Sequence, residues 1–289
     1  MLKNSELILN PDGTIFHLHL TPADIADTIL LVGDPGRVEM ITSMFDRIEL
    51  TVRNREFVTA TGLYRGQRLT VISTGIGTDN IDIVVNELDA LVNIDLDTRE
   101  PLSHHRKLRL VRIGTSGSLQ AHIPLNAWLV SEKSVGFDGL LTFYANRERV
   151  CDMEFEQAFR ASVGWPSDLP TPYVVDASAE LLELFSGLEY THGVNISAPG
   201  FYGPQGRVLR LPLALPGLNE KLEDFDFHGR QITNFEMESS AIYGLSRMLG
   251  HEAITVCLII ANRVTREANN NYHSFMERLI RSVLDKLTA

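Results

Sequence analysis

The fold is set by the stretch ILLVGDPGR, residues 29–37, in which four apolar residues run into a turn with two glycines. A short continuous apolar run is typical of a strand that is covered on both faces. The apolar spacing of Val38–Phe45, which follows directly, is helical. The stretch therefore predicts a buried strand, a tight turn and a helix, which is the repeating unit of an α/β fold.

The same alternation continues along the chain. Further apolar runs of strand length are Leu69–Ser73, Leu108–Ile113, Ala127–Val130, Val194–Ala198 and Ala253–Ile260. Helical spacing recurs in residues 84–92 and 272–287. These patterns predict an α/β fold: a single-domain α/β/α sandwich over residues 1–289, with a central mixed, largely parallel twisted sheet and ligand loops at the carboxyl ends of the strands. Residues 93–109 are charged and contain the pair His104–His105, so we expect an exposed insertion there.

The composition restricts the class of protein. The 289 residues carry a formal net charge of −11 and are 44% apolar. A negative chain of this kind is not a general binder of nucleic acid or anionic membranes, which require a positive field. No apolar run approaches the ~18 residues of a spanning helix and no signal peptide is recognisable, so we expect a cytoplasmic protein. Cys151 and Cys257 form no CxxC motif, which argues against a disulfide framework or a zinc site.

The turn at Gly33–Arg37 is a candidate anion site. It presents backbone N–H groups at a helix N-terminus, where negative charge is favoured, and Arg37 adds a positive charge. An ordinary strand-to-helix turn with a solvated arginine explains this motif equally well. The motif is neither GxGxxG nor GxxxxGK[ST], so it supports neither a dinucleotide fingerprint nor a P-loop.

A second arginine, Arg112, lies near the end of an apolar strand that continues into a glycine turn at residues 114–118. An arginine among core residues needs an anionic partner, because burying it unpaired is costly. A structural carboxylate would serve as this partner. However, two strand ends that each carry an arginine and a glycine favour a phosphate pocket that both of them line.

Two further motifs carry polar side chains at strand ends. Glu236 and Glu238 lie two residues apart at a strand-to-helix transition, so they should point in different directions. One could face a cavity and accept hydrogen bonds from a sugar diol, or both could complement the positive helix N-terminus. Asn262-Arg263 ends the last apolar strand, and Arg263 considered alone is most simply a surface charge. The loop at residues 200–207, rich in aromatic and polar side chains, is unusual for a mere connection.

These motifs in this order, with Ile15–Leu18 upstream and the loop Phe201–Arg207 in between, closely resemble the uridine phosphorylases of the nucleoside phosphorylase superfamily. The resemblance extends from Phe16 to Arg263. The Gln-x-Arg loop together with Asn262-Arg263 marks the uridine-specific branch. Purine-specific relatives carry aspartate at the position of Asn262, so the asparagine argues against a purine substrate.

The resemblance implies a role for each matching residue. Phosphate would be bound by Gly33, Arg37, Arg112 and Thr115, with Arg55 supplied by a neighbouring subunit. Ribose would be held by Met237 and Glu238, with His17 reaching its 5′-hydroxyl across the same interface. Uracil would be recognised by Phe201, Gln205 and Arg207, with Gly117 lining the base site and Arg263 supporting the loop. The catalytic residues would be Arg112, Arg207 and Glu238.

The implied reaction is the reversible phosphorolysis of uridine to uracil and ribose 1-phosphate, with inorganic phosphate as co-substrate and no cofactor. The residue types suit it, because cleavage creates a cationic sugar and an anionic base. Arginine keeps its proton at neutral pH, so catalysis would rest on charge and position, without a covalent intermediate. Each site would be shared between two protomers, which makes a homodimer the minimum active unit and leaves a hexamer open.

Some features depart from the family pattern. Ser116 replaces a threonine, which is a conservative change. Thr78-Asp79-Asn80 replaces a glycine- and serine-containing turn near the place where some relatives bind a monovalent cation. Glu56 remains as a ligand for such an ion, but the altered turn counts against it, and we expect no other metal. The insertion at residues 93–109 favours a dimer over a hexamer.

Other functions stay open at this stage. A nucleosidase of the same fold would use water and would have little need of three arginines around one anion. A phosphorylase that prefers deoxyuridine or thymidine fits the sequence as well. A non-catalytic nucleoside sensor would keep the pocket and lose a catalytic group. A metal enzyme could use His17 and His19 on one strand face, or His104–His105, but no ligand set accompanies that pair in the sequence.

Overall fold

The computed structural model describes residues 2–289. The apolar run before Gly33 forms strand β1 (Thr28–Val32), in which every residue is buried. Helix α1 (Pro35–Thr42) begins directly after Asp34, whose side chain accepts a hydrogen bond from the backbone N–H of Gly36. Proline at the first helical position suits this start, because its missing N–H would have no partner there. The predicted strand, turn and helix are therefore present.

The other elements follow in the same manner. The remaining strands are β2 (Arg47–Asn54), β3 (Phe57–Tyr64), β4 (Gln67–Ser73), β5 (Ile94–Asp95), β6 (Glu100–Pro101), β7 (Arg109–Ser118), β8 (Trp128–Gly136), β9 (Tyr173–Asp176), β10 (Tyr190–Ser197), β11 (Asp226–Phe227), β12 (Arg230–Glu236), β13 (Glu252–Asn262) and β14 (Glu267–Ala268). The remaining helices are α2 (Thr78–Asn93), α3 (Met153–Val163), α4 (Ala179–Leu184), α5 (Leu218–Asp224), α6 (Ser239–Leu249) and α7 (His273–Leu287). Short 3₁₀ turns occur at Pro22–Asp24, Leu140–Phe143, Arg147–Arg149 and Gly203–Gln205.

One twelve-stranded mixed sheet organises the chain, in the order β11-β12-β10-β8-β13-β7-β1-β4-β3-β2, with β9 and β14 attached to β8 and β13. Two blocks of it are parallel: β4-β1-β7-β13 and β8-β10-β12. The blocks meet antiparallel at β8 and β13, and β2, β3 and β4 form an antiparallel edge. The predicted fold class, a single α/β domain with a mixed sheet, is confirmed.

The sheet also closes on itself at one end. The end of β7 pairs antiparallel with β12, with Gly117 opposite Phe235 and Ser118 opposite Asn234. Because β7, β13, β8, β10 and β12 are also joined in succession, these five strands form a closed ring. The predicted glycine turn at residues 114–118 is therefore wrong. These residues continue strand β7, because they pair with β13 along its length and with β12 at its end.

The helices cover the sheet with apolar faces. The apolar face of α7 that the sequence predicts is buried. Its buried residues are Met276, Leu279, Ile280, Val283, Leu284 and Leu287. A second apolar cluster, with Phe155, Phe159 and Phe225, packs α3 and α5 against β10 and β12. None of the helices in residues 2–289 combines the length and the apolar character that crossing a bilayer requires.

The segment at residues 93–109 contains the short hairpin of β5 and β6 and is mostly exposed. It is tied down at both ends: Arg106 pairs with Asp27, and Asn93 accepts the backbone N–H of Arg106. Leu108, at its end, is fully buried and leads into β7.

Candidate active site

A buried arginine and two glutamates form the centre of the site. Arg112, on β7, donates a hydrogen bond to Glu238 and lies 3.5 Å from Glu236. The three side chains are only 7%, 4% and 1% exposed, respectively. The prediction that the two glutamates point in different directions is wrong, since both face Arg112. Strand β12 ends at Glu236 and Glu238 has a non-extended backbone (φ −136°, ψ −28°), but its carboxylate still reaches the same guanidinium, as residues i and i+2 of a continuing strand would.

The two carboxylates nevertheless have different surroundings. Glu236 accepts hydrogen bonds from the backbone N–H groups of Glu238 and Ser239, at 2.9 and 3.0 Å, and so caps the start of α6. Glu238 accepts the N–H of Gly77 at 2.8 Å. Burial raises the pKa of Glu238, although Arg112 and the Gly77 N–H oppose this shift. Glu236 is therefore held by two N–H groups at the start of α6, whereas Glu238 accepts a single N–H, from Gly77 at the N-cap of α2, and pairs with Arg112.

Two glycines that sequence reasoning gave no role shape this centre. A Cβ on Gly114 would lie 1.9 Å from Nη1 of Arg112, so the guanidinium occupies the space of a side chain at that position. Gly77, which donates to Glu238, has φ +104°, a conformation that favours glycine. Two features of the sequence could have indicated these positions. Gly114 follows the buried Arg112 by two residues, and Gly75 and Gly77 stand before a helix.

Arg37 brings a second positive charge to the same place. It is buried at the start of α1, and its Nη1 donates to the carbonyl oxygen of Ile113 at 3.2 Å. Burial, and then the charge of Arg112, lower the pKa of Arg37. Burial would also lower the pKa of Arg112, but Glu238 and Glu236 outweigh it and raise that pKa. Within residues 2–289, Arg37 forms no ion pair, whereas Arg112 is balanced by two glutamates, so the charge of Arg37 is the one left for an anion.

The loop after β10 forms a second cluster. Arg207 donates from Nη1 to Oε1 of Gln205 and to the carbonyl oxygen of Phe201, both at 2.6 Å. Its guanidinium lies 3.7 Å from the centre of the Phe201 ring. Gln205 is buried, whereas Phe201 is about half exposed. The structure thus brings together the aromatic ring, the amide and the guanidinium that the sequence placed within seven residues.

Arg263 lies beside this loop. Its Nη1 is buried and has no hydrogen-bond partner within residues 2–289. Burial, and then the charge of Arg263, lower the pKa of Arg207 to about 10, which leaves Arg207 protonated at neutral pH. A Cβ on Gly117 would lie 4.0 Å from the Arg263 side chain, so the end of β7 lies next to Arg263. The reading of Arg263 as a plain surface charge is not supported.

Asn262 has a structural function. Its Nδ2 donates to the carbonyl oxygens of Gln120 and Ile123, both at 2.9 Å, and its Oδ1 accepts the N–H groups of Val264 and Thr265. An ionised aspartate cannot donate to the two carbonyls. The amide therefore holds the chain that carries Arg263.

His17 and Arg55 lie apart from the arginine and glutamate centre. Nδ1 of His17 is 2.6 Å from Glu87, and the guanidinium of Arg55 lies 5.3 Å from the centre of the Phe16 ring. Among residues 2–289, neither side chain forms a hydrogen bond or ion pair with Arg37, Arg112 or Glu238. Met237, by contrast, is half-buried directly beside Glu238.

The histidines are arranged differently from the sequence prediction. His105 does have a ligand set nearby, because its ring nitrogens lie within 4.8 Å of ligand atoms of Asp89 and His251. However, Nδ1 of His251 accepts the N–H of Leu108, so Nε2 carries the proton and faces Asp89 at 3.1 Å. A protonated nitrogen has no lone pair for a metal, and the cluster is a hydrogen-bond network.

The other metal candidates can be placed as well. His17 and His19 do not share a strand face; His19 has φ +56° and pairs with Asp12. Glu56 is exposed, and its carbonyl oxygen accepts the hydroxyl of Ser73 at 3.1 Å.

A cavity of about 730 Å³ adjoins the Gln205 loop. Its lining is mainly apolar and includes Phe137, Trp165, Leu209 and Leu215, together with Arg207. The phosphate and ribose candidates do not line it, so it is distinct from the arginine and glutamate centre.

The chain is similar to several known proteins. Residues 27–288 match the model of the phosphorylase superfamily. The chain is 31% identical to a uridine phosphorylase of Thermococcus kodakarensis over 264 residues, which are 89% of this chain and 80% of that protein. It is 30% identical to a uridine phosphorylase of Haemophilus influenzae over 265 residues, 89% of each chain. A solved structure of a Trypanosoma brucei nucleoside phosphorylase, described as showing uridine phosphorylase activity, superposes with a TM-score of 0.88 at 30% identity and covers 97% of this chain and 99% of that chain.

Proposed function

This chain belongs to the phosphorylase superfamily, and on that premise we propose that it catalyses the reversible phosphorolysis of uridine to uracil and ribose 1-phosphate. The observation that carries the proposal is the position of Arg112 between a second buried arginine, Arg37, and the carboxylate of Glu238. An anion site and a hydrogen-bond acceptor for sugar hydroxyls thereby lie side by side.

Phosphate binds on the arginine side of this centre. Arg37 and Arg112 supply the charge, Gly33 directly follows β1, and Thr115 lies on β7 three residues after Arg112. Arg112 has five N–H donors in a planar fork, so it can hold phosphate without releasing Glu238. Glu238, with Met237 beside it, accepts hydrogen bonds from the ribose hydroxyls.

The base occupies the neighbourhood of the Gln205 loop. The amide of Gln205 has both a donor and an acceptor for a uracil edge, and Phe201 offers an aromatic face. Arg207 stabilises the negative charge that develops on the uracil carbonyl oxygen as the bond breaks. Gly117 allows close approach, since a Cβ there would have no neighbour nearer than 3.9 Å, and Arg263 supports the loop.

The reaction then proceeds without a cofactor. A phosphate oxygen attacks C1′ while the bond from C1′ to N1 of uracil breaks, and the bonding electron pair leaves with the base. The sugar carries positive charge in the transition state, which the bound phosphate stabilises. Uracil takes a proton from solvent, because Arg207 keeps its own. The catalytic residues are therefore Arg112, Arg207 and Glu238.

The proposal also concerns assembly and location. His17 and Arg55 lie close together through Phe16 and apart from the centre of their own chain, which supports their use in the site of a second protomer. A homodimer is the minimum active unit in this proposal, and a hexamer of such dimers is compatible with it. We place the enzyme in pyrimidine salvage in the cytoplasm, where its two free thiols, Cys151 and Cys257, would stay reduced.

The decisive experiment is uracil release from uridine, followed by absorbance with and without inorganic phosphate, with inosine as the control. We expect cleavage of uridine that depends on phosphate, and no cleavage of inosine. Cleavage without phosphate would identify a nucleosidase, and binding of uridine without cleavage would identify a sensor. Parallel assays with 2′-deoxyuridine and thymidine rank the pyrimidine substrates.

A further inference from the structure

His17 is held by a single carboxylate from a distant part of the chain. Glu87, on α2, accepts the backbone N–H of His17 at 3.0 Å through Oε1 and the N–H of Leu18 at 2.8 Å through Oε2. The same Oε1 is 2.6 Å from Nδ1 of the His17 ring. The Glu87 side chain is 14% exposed and that of His17 is 29% exposed, so the pair is partly shielded from water.

This contact selects which nitrogen of the His17 ring carries the proton. An ionised carboxylate can only accept hydrogen bonds, so Nδ1 of His17 must carry the proton. In the neutral ring Nε2 then has a free lone pair. Within residues 2–289, Nε2 of His17 makes no hydrogen bond, and it is free to accept one from a hydroxyl group.

The backbone around His17 is fixed as well. The carbonyl oxygen of His17 accepts Nδ2 of Asn54 at 2.7 Å, and that of Ile15 accepts Nδ2 of Asn10 at 2.9 Å. Leu18, the next residue, is 1% exposed. The ring therefore extends from an anchored turn, and Glu87 is the contact that selects its tautomer.

We propose that Glu87 is a positioning residue for the phosphorolysis reaction: it holds His17 with Nδ1 protonated, so that Nε2 accepts a hydrogen bond from the 5′-hydroxyl of the nucleoside in the neighbouring protomer's site. The inference rests on the proposed function and adds to it the group that prepares the ribose contact. A carboxylate that only stabilised the turn would satisfy the same backbone N–H groups but would not affect one substrate hydroxyl selectively.

The test compares uridine with 5′-deoxyuridine, which lacks the hydroxyl that His17 would contact. In the Glu87→Gln variant the amide can donate a hydrogen bond, so the ring is no longer restricted to one tautomer. We expect kcat/KM for uridine to fall about tenfold and kcat/KM for 5′-deoxyuridine to stay within about twofold of the parent. Adding Glu87→Gln to His17→Ala should cause no further loss on uridine.

Asp89→Asn is the matched control. Asp89 lies on the same helix and pairs with another histidine, His251, outside the site. This variant should not change the ratio of the two kcat/KM values. Equal losses on both substrates in Glu87→Gln would reduce Glu87 to a structural residue and overturn the inference. A parent enzyme that cleaves uridine but does not prefer it over 5′-deoxyuridine would overturn it too, whereas a parent without phosphate-dependent cleavage would refute the proposed function itself.

Discussion

Arg112 and Glu238, which are 126 residues apart in the sequence, form a buried ion pair at the centre of the molecule. Arg112 comes from the middle of β7, and Glu238 stands at the start of α6. Arg37 lies close enough to this pair for the charge of Arg112 to lower its pKa. Because removal of one partner would leave a buried charge uncompensated, the substitution that tests Glu238 has to preserve its shape and polarity.

Glu238→Gln is expected to impair catalysis without unfolding the protein. The amide oxygen can still accept from Arg112 and Gly77, but the charge that attracts the ribose hydroxyls is lost. We expect kcat/KM for uridine to fall about a hundredfold. The loss on 2′,3′-dideoxyuridine, which lacks both hydroxyls, should be much smaller, and steady-state kinetics on the two substrates measures the difference. Similar losses on both would contradict a ribose contact.

Arg207→Ala is expected to reduce turnover far more than stability. Within residues 2–289, the hydrogen bonds and the ring contact of Arg207 are with Gln205 and Phe201 of its own loop, so we expect the fold to depend little on it. We expect kcat/KM for uridine to fall about a hundredfold or more, because the charge on the departing base is no longer stabilised. The melting temperature should change by less than about 2 °C.

Arg210→Ala provides the comparison, since Arg210 is an exposed arginine in the same segment. It should retain the parent activity. If Arg207→Ala had near-normal kcat/KM, the assignment of Arg207 to the base would have to be abandoned.

Subunit mixing tests whether His17 acts across an interface. His17→Ala and Arg207→Ala proteins are each expected to be weakly active. A mixed dimer would contain one intact site, so random exchange should restore about a quarter of the parent activity. Activity measured after exchange, with exchange itself verified by differently tagged chains, checks this.

The informative control is a mixture of His17→Ala with Arg55→Ala. Both side chains would be donated by the same protomer to the same neighbouring site, so no mixed dimer would contain an intact site. No recovery is expected. Recovery in this second mixture, or none in the first despite proven exchange, would show that the site is not shared as proposed.

The two cysteines should differ in reactivity. Burial raises the pKa of Cys257 to about 12, and its sulfur lies 3.5 Å from Nη1 of Arg112. At pH 8 only about one molecule in ten thousand would carry the Cys257 thiolate, which is the reactive form. Titration with a chromogenic disulfide reagent should therefore modify at most Cys151 in the native protein and both thiols after denaturation. A Cys151→Ser variant that still reacted rapidly in its native state would contradict this.

The sequence by itself determined the elements that depend on local patterns. The apolar run before Gly33 predicted β1, the helical spacing of residues 272–287 predicted α7, and the grouping of Phe201, Gln205 and Arg207 predicted a functional loop. These features depend on neighbours a few residues away, because side-chain periodicity and turn conformation are local properties. The ordered motifs were sufficient to indicate the family.

Only the tertiary structure decided how the motifs meet. Because β7 pairs with β12, residues 114–118 form part of a strand and not the expected turn. Gly117 consequently lies beside Arg263. Both Glu236 and Glu238 face Arg112, although the chain leaves the strand conformation after Glu236. The contact of Glu87 with His17 joins residues 70 positions apart. Such contacts leave no periodic signal in the chain, because they are selected by the packing of the whole sheet and its helices.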